Sequence, residues 1–274
     1  MEAQEEDSPV SARAAAGNPL LLSSIARPGK RSGPLGPGCH VDADPDRRAL
    51  KAEKVARIVQ RLTDPPSGGW ALDIGCGAGY IAQRLRAQGW NTVALDVADF
   101  RTVRSCDFIT SLAESLPFPS ATFSVVVSNH VIEHVGDAGA HLSEVHRVMT
   151  PRGVAYVATP NRLWVLEPHY KLPLLSWLPQ PVADGYVRLL RRGSFYDVFP
   201  LTRGALLRRA AHAGLTCKDV TDLAIAEIAD VERSPLARLV SRLPKGFIQW
   251  LSWASPSFVF AMRRAHTEQR NGEV

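Results

Sequence analysis

The chain has 274 residues, 45% hydrophobic and 22% charged, enough for one sizeable core with an elaboration and too apolar for a disordered protein. Its 32 basic and 27 acidic residues leave a net charge of +5, which permits an anionic partner or surface but does not demand one. The four cysteines (Cys39, Cys76, Cys106, Cys217) have neither CxxC nor metal spacing, the acidic start (Glu2, Glu5, Glu6, Asp7) is unlike a secretory signal, and no apolar run is long enough to span a bilayer; the expected location is cytoplasmic.

Residues 1–43 are rich in Ala, Gly, Pro and Ser without a sustained period and are predicted to be a disordered leader. Asp44-Pro45 reads as an N-cap with proline at the first helical position; Leu50, Val55, Ile58, Val59 and Leu62 follow at helical spacing, and Pro65-Pro66 stops the helix. From Gly69 strands and helices alternate. Strands are expected at 70–74, 92–95, 106–109, 123–127 and 154–158. One helix carries Ile81, Ala82 and Leu85; another carries Leu142, Val145, Val148 and Met149 and is ended by Pro151. That alternation predicts an α/β, doubly wound, mostly parallel sheet with helices on both faces.

The pattern breaks over 161–201, where six prolines between 160 and 200 interleave with large apolar residues; this is predicted to be an acceptor-side insertion or lid after the fifth strand. Thr202 is the next N-cap, and 202–264 is expected to complete the core with closing strands at 215–221 and 257–262, leaving 265–274 as a tail.

The chemistry concentrates in residues 71–79, Ala-Leu-Asp-Ile-Gly-Cys-Gly-Ala-Gly, where an apolar strand runs into Gly75, Gly77 and Gly79 before a helix. Glycines at such a turn let a ligand touch backbone. The dinucleotide fingerprint G-x-G-x-x-G/A fails, because the residue in its last position is Tyr80. Asp73 argues the same way: a carboxylate beside the loop repels a pyrophosphate and suits a cofactor bearing an ammonium and a sulfonium. Asp96, at the next strand's end, is placed to accept ribose hydroxyl hydrogen bonds.

Asp73-Ile-Gly-Cys-Gly-Ala-Gly79 resembles the first motif of class I S-adenosylmethionine-dependent methyltransferases, within the type 11 group that includes quinone-biosynthesis enzymes. Ala113-Glu-Ser-Leu-Pro-Phe-Pro119, Phe123–Val135 and Leu142–Gly153 are similar to that group's adenine loop, fourth strand and following helix and turn, so the match spans about residues 50–160. The resemblance implies a Rossmann-like core over 44–160, a seven-stranded sheet closed by an antiparallel hairpin, and S-adenosylmethionine as cofactor. It places Asp73, Gly75 and Gly77 at the methionine end, with Cys76 and Gly79 in the same cofactor-binding loop; Tyr80 lies near the methionine end or, equally, packs in the core. Asp96 and Val97 would face the ribose and adenine, Ala113 and Glu114 the adenine, and Asn129 and His130 would close the pocket. Two positions depart from the family: Leu112 stands where an Asp usually precedes the Ala-Glu pair, and Ser124 where an Asp often follows Phe. Glu114 is the available substitute for the first.

His130-Val-Ile-Glu133-His134 matches the inverted zinc-peptidase pattern H-x-x-E-H, which needs a stable helix and a third ligand, but these residues follow a buried strand at a strand-to-helix junction and the methyltransferase resemblance already accounts for them; no metal is expected. Beyond the fifth strand, Glu167, His169 and Tyr170 bring an acid, a base and a phenol together; His169 is the candidate general base, oriented by Glu167, with a purely structural loop as the competing reading. Two stretches, 172–192 and 235–264, mix Trp and aliphatic residues with Arg and Lys, which suits a membrane interface or lipid-like acceptor, though a lid packed on the domain is the preferred reading.

The expected activity is methyl transfer to a small-molecule acceptor, an apolar or lipid-linked hydroxyl compound, with O-methylation favoured. Peripheral membrane contact stays open, and no nucleic-acid partner is expected, since basic charge is thinly spread and no Asn/Asp-Pro-Pro-Tyr/Phe motif follows the fourth strand. The alternatives are a nucleic-acid or protein methyltransferase, a non-catalytic module of the same fold, and a nicotinamide oxidoreductase.

Overall fold

The computed structural model describes residues 44–63 and 68–265; the leader and the tail beyond residue 265 lie outside the described residues, as does Cys39. Helix α1 (Pro45–Leu62) starts where the sequence places it: the Asp44 carboxylate accepts the Asp46 N–H at 3.0 Å and Pro45 occupies the first turn. Its buried stripe, Ala52, Val55, Ala56, Ile58 and Val59, recurs at helical spacing.

Strand β1 (Trp70–Ile74), helix α2 (Tyr80–Ala87), strands β2 (Asn91–Asp96), β3 (Asp107–Thr110) and β4 (Phe123–Asn129), helix α3 (Ala138–Val148) and strand β5 (Met149–Pro160) follow. After the insertion come α5 (Arg203–His212), β6 (Leu215–Asp219), α6 (Thr221–Val231), α7 (Pro235–Val240), α8 (Lys245–Leu251) and β7 (Ser257–Arg264); α4 (Gln180–Leu189) belongs to the insertion itself. The seven strands form one sheet in the order β3-β2-β1-β4-β5-β7-β6. All pairings are parallel except β5–β7 and β7–β6, so the chain folds as the Rossmann-like α/β sheet with a closing antiparallel hairpin.

Most strand ends fall within two residues of the sequence reading, and the start of β5 differs by five. Helix α3 ends at Val148, and Met149 to Pro151 already belong to β5. Met149 pairs with Phe123, and the register then shifts before Val154 pairs with Val125; Pro151 sits in that irregular stretch, where no regular ladder partner is needed.

The sheet order reverses direction between β1 and β4, and in open parallel sheets ligands bind in the crevice outside the strand ends at such a switch point. Ile74 pairs with Ser128 there, so the glycine loop after β1 and the loop after β4 are neighbours. Beneath them, Val55, Ile58, Val59, Leu85, Trp90, Val125, Val127 and Tyr156 share one core cluster that joins the helices to the sheet.

The insertion over 161–201 has a small core of its own, built from Tyr170, Leu172, Leu175, Ala183, Val187, Tyr196 and Val198. Its ends meet where the Arg162 N–H donates to the Leu201 carbonyl, so it is a compact cap and not an open loop. Within 172–192, Leu172, Leu175, Ala183 and Val187 are buried in that core, whereas Leu174, Trp177 and Leu189 are exposed. Within 235–264, α7 buries no residue and α8 buries only Ile248, while β7 is buried in the sheet.

Candidate active site

The glycine loop is held by the acids at its two flanks. Both Asp96 carboxylate oxygens accept backbone hydrogen bonds, from Gly77 N–H at 2.8 Å and Val97 N–H at 2.7 Å, which fixes the loop over the end of β2. The Asp73 carboxylate lies buried under the loop and accepts the Ala82 N–H in the first turn of α2 at 3.0 Å. Burial pushes the Asp73 pKa up to about 8, and the Ala82 hydrogen bond only partly opposes it. Burial likewise raises Asp96, against the two backbone donors. Two acids raised by burial beside a glycine loop mark a candidate functional site.

Two glycines need their conformations. Gly79 has φ +87°, and a Cβ there would run into the Val103 carbonyl. Gly77 has φ +49°, yet a Cβ there would meet nothing within 4 Å, so the backbone at Gly77 faces open space. Cys76 is buried and Tyr80 half-buried behind the same turn, while Val97 is exposed at its rim. Ala113 lies buried on the next loop; its carbonyl accepts from His141 Nδ1 at 3.0 Å. Since a carbonyl only accepts, His141 carries its proton on Nδ1, and Nε2 accepts from the Ser128 hydroxyl at 2.9 Å. Glu114 uses one carboxylate oxygen to hold the Gly136 N–H at 2.6 Å, clamping the loop after β4.

That loop is where the sequence reading was incomplete. His130 takes a left-handed φ of 59° directly after Asn129, and its N–H donates to the Ala158 carbonyl of β5 at 2.8 Å. The turn aims His130 Nδ1 at Glu133 Oε1, 3.2 Å away. Glu133 is wholly buried, and its other oxygen accepts the Thr159 hydroxyl at 3.0 Å. Burial would raise Glu133, but the hydrogen bond from His130 and the charges of His130 and His134 outweigh it, leaving the carboxylate below its usual range. Burial, with the charge of Lys51, lowers His130, against the hydrogen bond and charge of Glu133.

The insertion delivers His169 to this group. His169 Nδ1 lies 2.8 Å from Glu167 Oε1, and its Nε2 faces Glu133 Oε1 at 4.0 Å. The His134 ring packs edge-on against it at 5.2 Å between centroids. Glu167 is itself buried and fixed by the Tyr170 N–H at 2.6 Å. Glu167 and His169 thus come together as the sequence suggested, but Tyr170 does not join them. Its hydroxyl donates to Asp197 at 2.7 Å inside the insertion core, and its ring packs on Tyr196.

The residue that sequence reasoning passed over is Glu133. Its signal is the H-x-x-E-H run, which the sequence assigns to the methyltransferase pattern because it follows a buried strand; residues 130–135 indeed form turns and not a helix. The insertion brings a third donor beside two of these residues: ligand-type atoms of His130, Glu133 and His169 all lie within 4.8 Å of one another. The glycine loop adjoins this cluster directly, since a Cβ on Gly75 would press on the Val131 side chain at 2.5 Å.

A family model described as a methyltransferase domain matches residues 46–217. The chain belongs to this methyltransferase family. Its sheet, glycine loop and acid pair are those of the class I S-adenosylmethionine-dependent methyltransferases. A probable S-adenosylmethionine-dependent methyltransferase of Mycolicibacterium smegmatis is 37% identical over 181 residues, covering 62% of this chain and 70% of that protein. A ubiquinone biosynthesis O-methyltransferase of Bartonella tribocorum is 29% identical over 136 residues, covering 44% of this chain. The alignment spans 53% of that relative, about half its length. Among solved structures, an S-adenosylmethionine-dependent methyltransferase from Mesorhizobium loti shares the methyltransferase fold with TM-score 0.54 and 15% identity, covering 78% of this chain and all of that one.

Proposed function

We propose that this methyltransferase moves the methyl group of S-adenosylmethionine to a hydroxyl of a small apolar or lipid-linked acceptor. The observation that carries the proposal is the His169–Glu167 pair, whose His169 Nε2 faces Glu133 in the loop after β4. In this reading Asp73, Gly75, Cys76, Gly77, Gly79 and Tyr80 hold the methionine end. Asp96 and Val97 take the ribose, each Asp96 oxygen keeping one lone pair beyond its backbone bond. Ala113 and Glu114 flank the adenine, and Asn129 and His130 close the pocket.

The reaction is an in-line displacement. The acceptor oxygen forms a bond to the methyl carbon while the sulfur–methyl bond breaks and sulfur keeps the electron pair as a neutral thioether. His169 Nε2 takes the hydroxyl proton, and Glu167 on Nδ1 holds the ring in the tautomer that can do so. The buried surroundings exclude water from a reaction that mainly needs alignment. The relatives' O-methyltransferase names agree with an oxygen acceptor. Acceptor screening by mass spectrometry with S-adenosylmethionine tests the proposal: methylated hydroxyl products support it, whereas methylated protein or nucleic acid alone would sink it.

The His130–Glu133–His169 cluster favours a second reading, in which a divalent cation at those donors lowers the acceptor hydroxyl's pKa in place of a base. Two imidazoles and a carboxylate suit such an ion, and Glu167 on the far nitrogen of His169 is the usual outer support of a metal-bound histidine. Dialysis against a chelator separates the two: turnover that survives favours the base, turnover lost and restored by one divalent metal favours the ion.

A further inference from the structure

Helices α7 and α8 and the short 3-10 turn Ser252–Ala254 form an outward face with no covering element among the described residues. Leu236 is 70% exposed, Leu239 64%, Trp250 64% and Trp253 58%. Leu243 and Phe247 are exposed between them, and Phe247 stacks on Trp250 with ring centroids 5.9 Å apart. Leu236, Leu239 and Leu243 follow one another at spacings of three and four, which puts them on one side of α7 and its exit turn. An isolated exposed leucine needs no explanation, but this many large apolar side chains within one short segment do.

The charge pattern is equally one-sided. From Arg233 to Trp253 the chain carries Arg233, Arg238, Arg242 and Lys245 and not one Asp or Glu. Arg238, Arg242 and Lys245 are exposed alongside the apolar residues. A protein partner would be met by mixed charge; a surface of uniform negative charge with an apolar interior fits cations at the rim and tryptophans at the boundary.

The patch is anchored, not loose. The Asn161 side-chain amide donates to the carbonyls of Trp253 and Ser255, both at 2.9 Å, and its N–H donates to the Pro256 carbonyl at 2.9 Å. The Ser252 hydroxyl donates to Asp219 at 2.7 Å. Asn161 directly follows β5, the strand whose Ala158 and Thr159 hold His130 and Glu133. Exposed Leu163, whose N–H donates to the Asn161 side chain at 2.9 Å, continues the apolar surface toward the insertion.

We infer that the α7–α8 face docks on an anionic phospholipid bilayer, lying in the interface with Trp250 and Trp253 at headgroup depth and Arg238, Arg242 and Lys245 against lipid phosphates. Docking this way sets the β5 end, and the crevice beside it, next to the membrane surface. The binding claim stands on the surface alone, and its test involves no turnover.

The test is flotation of the full chain with vesicles of phosphatidylcholine alone or containing phosphatidylglycerol, read together with tryptophan quenching by brominated lipid. Partitioning about tenfold stronger on the anionic vesicles, weakening as salt is raised, is expected. Two variants share the wild-type melting curve because every altered residue is exposed: R238E/R242E/K245E and L239S/W250S. Both are expected to lose flotation and quenching. Equal binding to neutral vesicles, no binding at all, or undiminished binding by the variants overturns the inference. So does a stable dimer in light scattering that L239S/W250S dissolves and anionic vesicles do not, which would make the face a contact between two copies.

Discussion

His169, carried by the insertion, places its Nε2 4.0 Å from the Glu133 carboxylate in the loop after β4. That separation is too long for a hydrogen bond and too short for an atom in line, though one oxygen set to the side could contact both groups at about 2.8 Å. In the proposed mechanism an acceptor hydroxyl takes that position. Replacing His169 with Gln removes the base while keeping a polar side chain of similar reach. Turnover is expected to fall about 10²- to 10⁴-fold, the usual worth of positioned proton transfer, with cofactor affinity unchanged by calorimetry. E167Q is expected to lower kcat less and to move the pH profile; intact turnover in H169Q would remove the base assignment.

Asp73 predicts proton release on cofactor binding. With its carboxyl pushed up to about 8 by burial, Asp73 is mostly protonated at pH 7 in the ligand-free protein. A cationic ligand favours the ionised form and so lowers that pKa. Affinity for S-adenosylmethionine should therefore rise with pH up to about 8 and level off above it, by at most about tenfold per unit. Calorimetry in two buffers of different ionisation enthalpy reads the released proton directly. In D73N the affinity should be weaker and flat across that range; a D73N variant that keeps the slope would assign the proton elsewhere.

Two of the three left-handed glycines of the loop should fail differently. G79A forces a Cβ at φ +87° against the Val103 carbonyl, and a loss of about 2–4 kcal/mol in denaturant unfolding is expected. G77A meets no neighbour within 4 Å, so only its φ of +49° counts against it, roughly 1 kcal/mol. Yet G77A fills the space the cofactor backbone contact needs, so its binding is expected to drop far more than its stability. Equal cofactor affinity in G77A and wild type would show that the ligand does not approach there.

The buried histidines should contribute stability that acid removes before the surface carboxylates titrate. Burial depresses both His130 and His141 below the ordinary value of 6.5. A depressed folded-state pKa contributes stability that is present above the unfolded value and lost as pH falls through the folded one. Asp73, raised to about 8, acts in the opposite sense over the same range, so the histidine contribution is read as a difference between variants. As pH drops from 7 to about 5, Tm should fall less, or rise more, in H141Q than in wild type, because one of the two histidines is gone. An H141Q profile parallel to wild type would mean that this imidazole does not titrate with unfolding.

Much of the fold was legible along the chain because its signals are local. Asp44 before Pro45, the apolar stripe of α1, the run Trp70–Ile74 into three glycines, and Thr202 before α5 each express a preference that nearby residues settle. Asp73, the glycines and Asp96 belong to this class too: they are joined by a single β–α–β unit, so spacing along the chain stands in for distance in space. What spacing could not show was the meeting of residues from separate elements. His169 reaches Glu133 only because the insertion folds on its own small core and returns across the β4 loop, where the Phe199 N–H donates to the Glu133 carbonyl at 2.8 Å. Tyr170, adjacent to His169 in sequence, faces the other way for the same reason, since the insertion core needs its ring. Whether the apolar stripes of α4 and α7 were covered was likewise beyond periodicity. A helical pattern names a face, and only the placement of every other element decides whether that face meets protein or solvent.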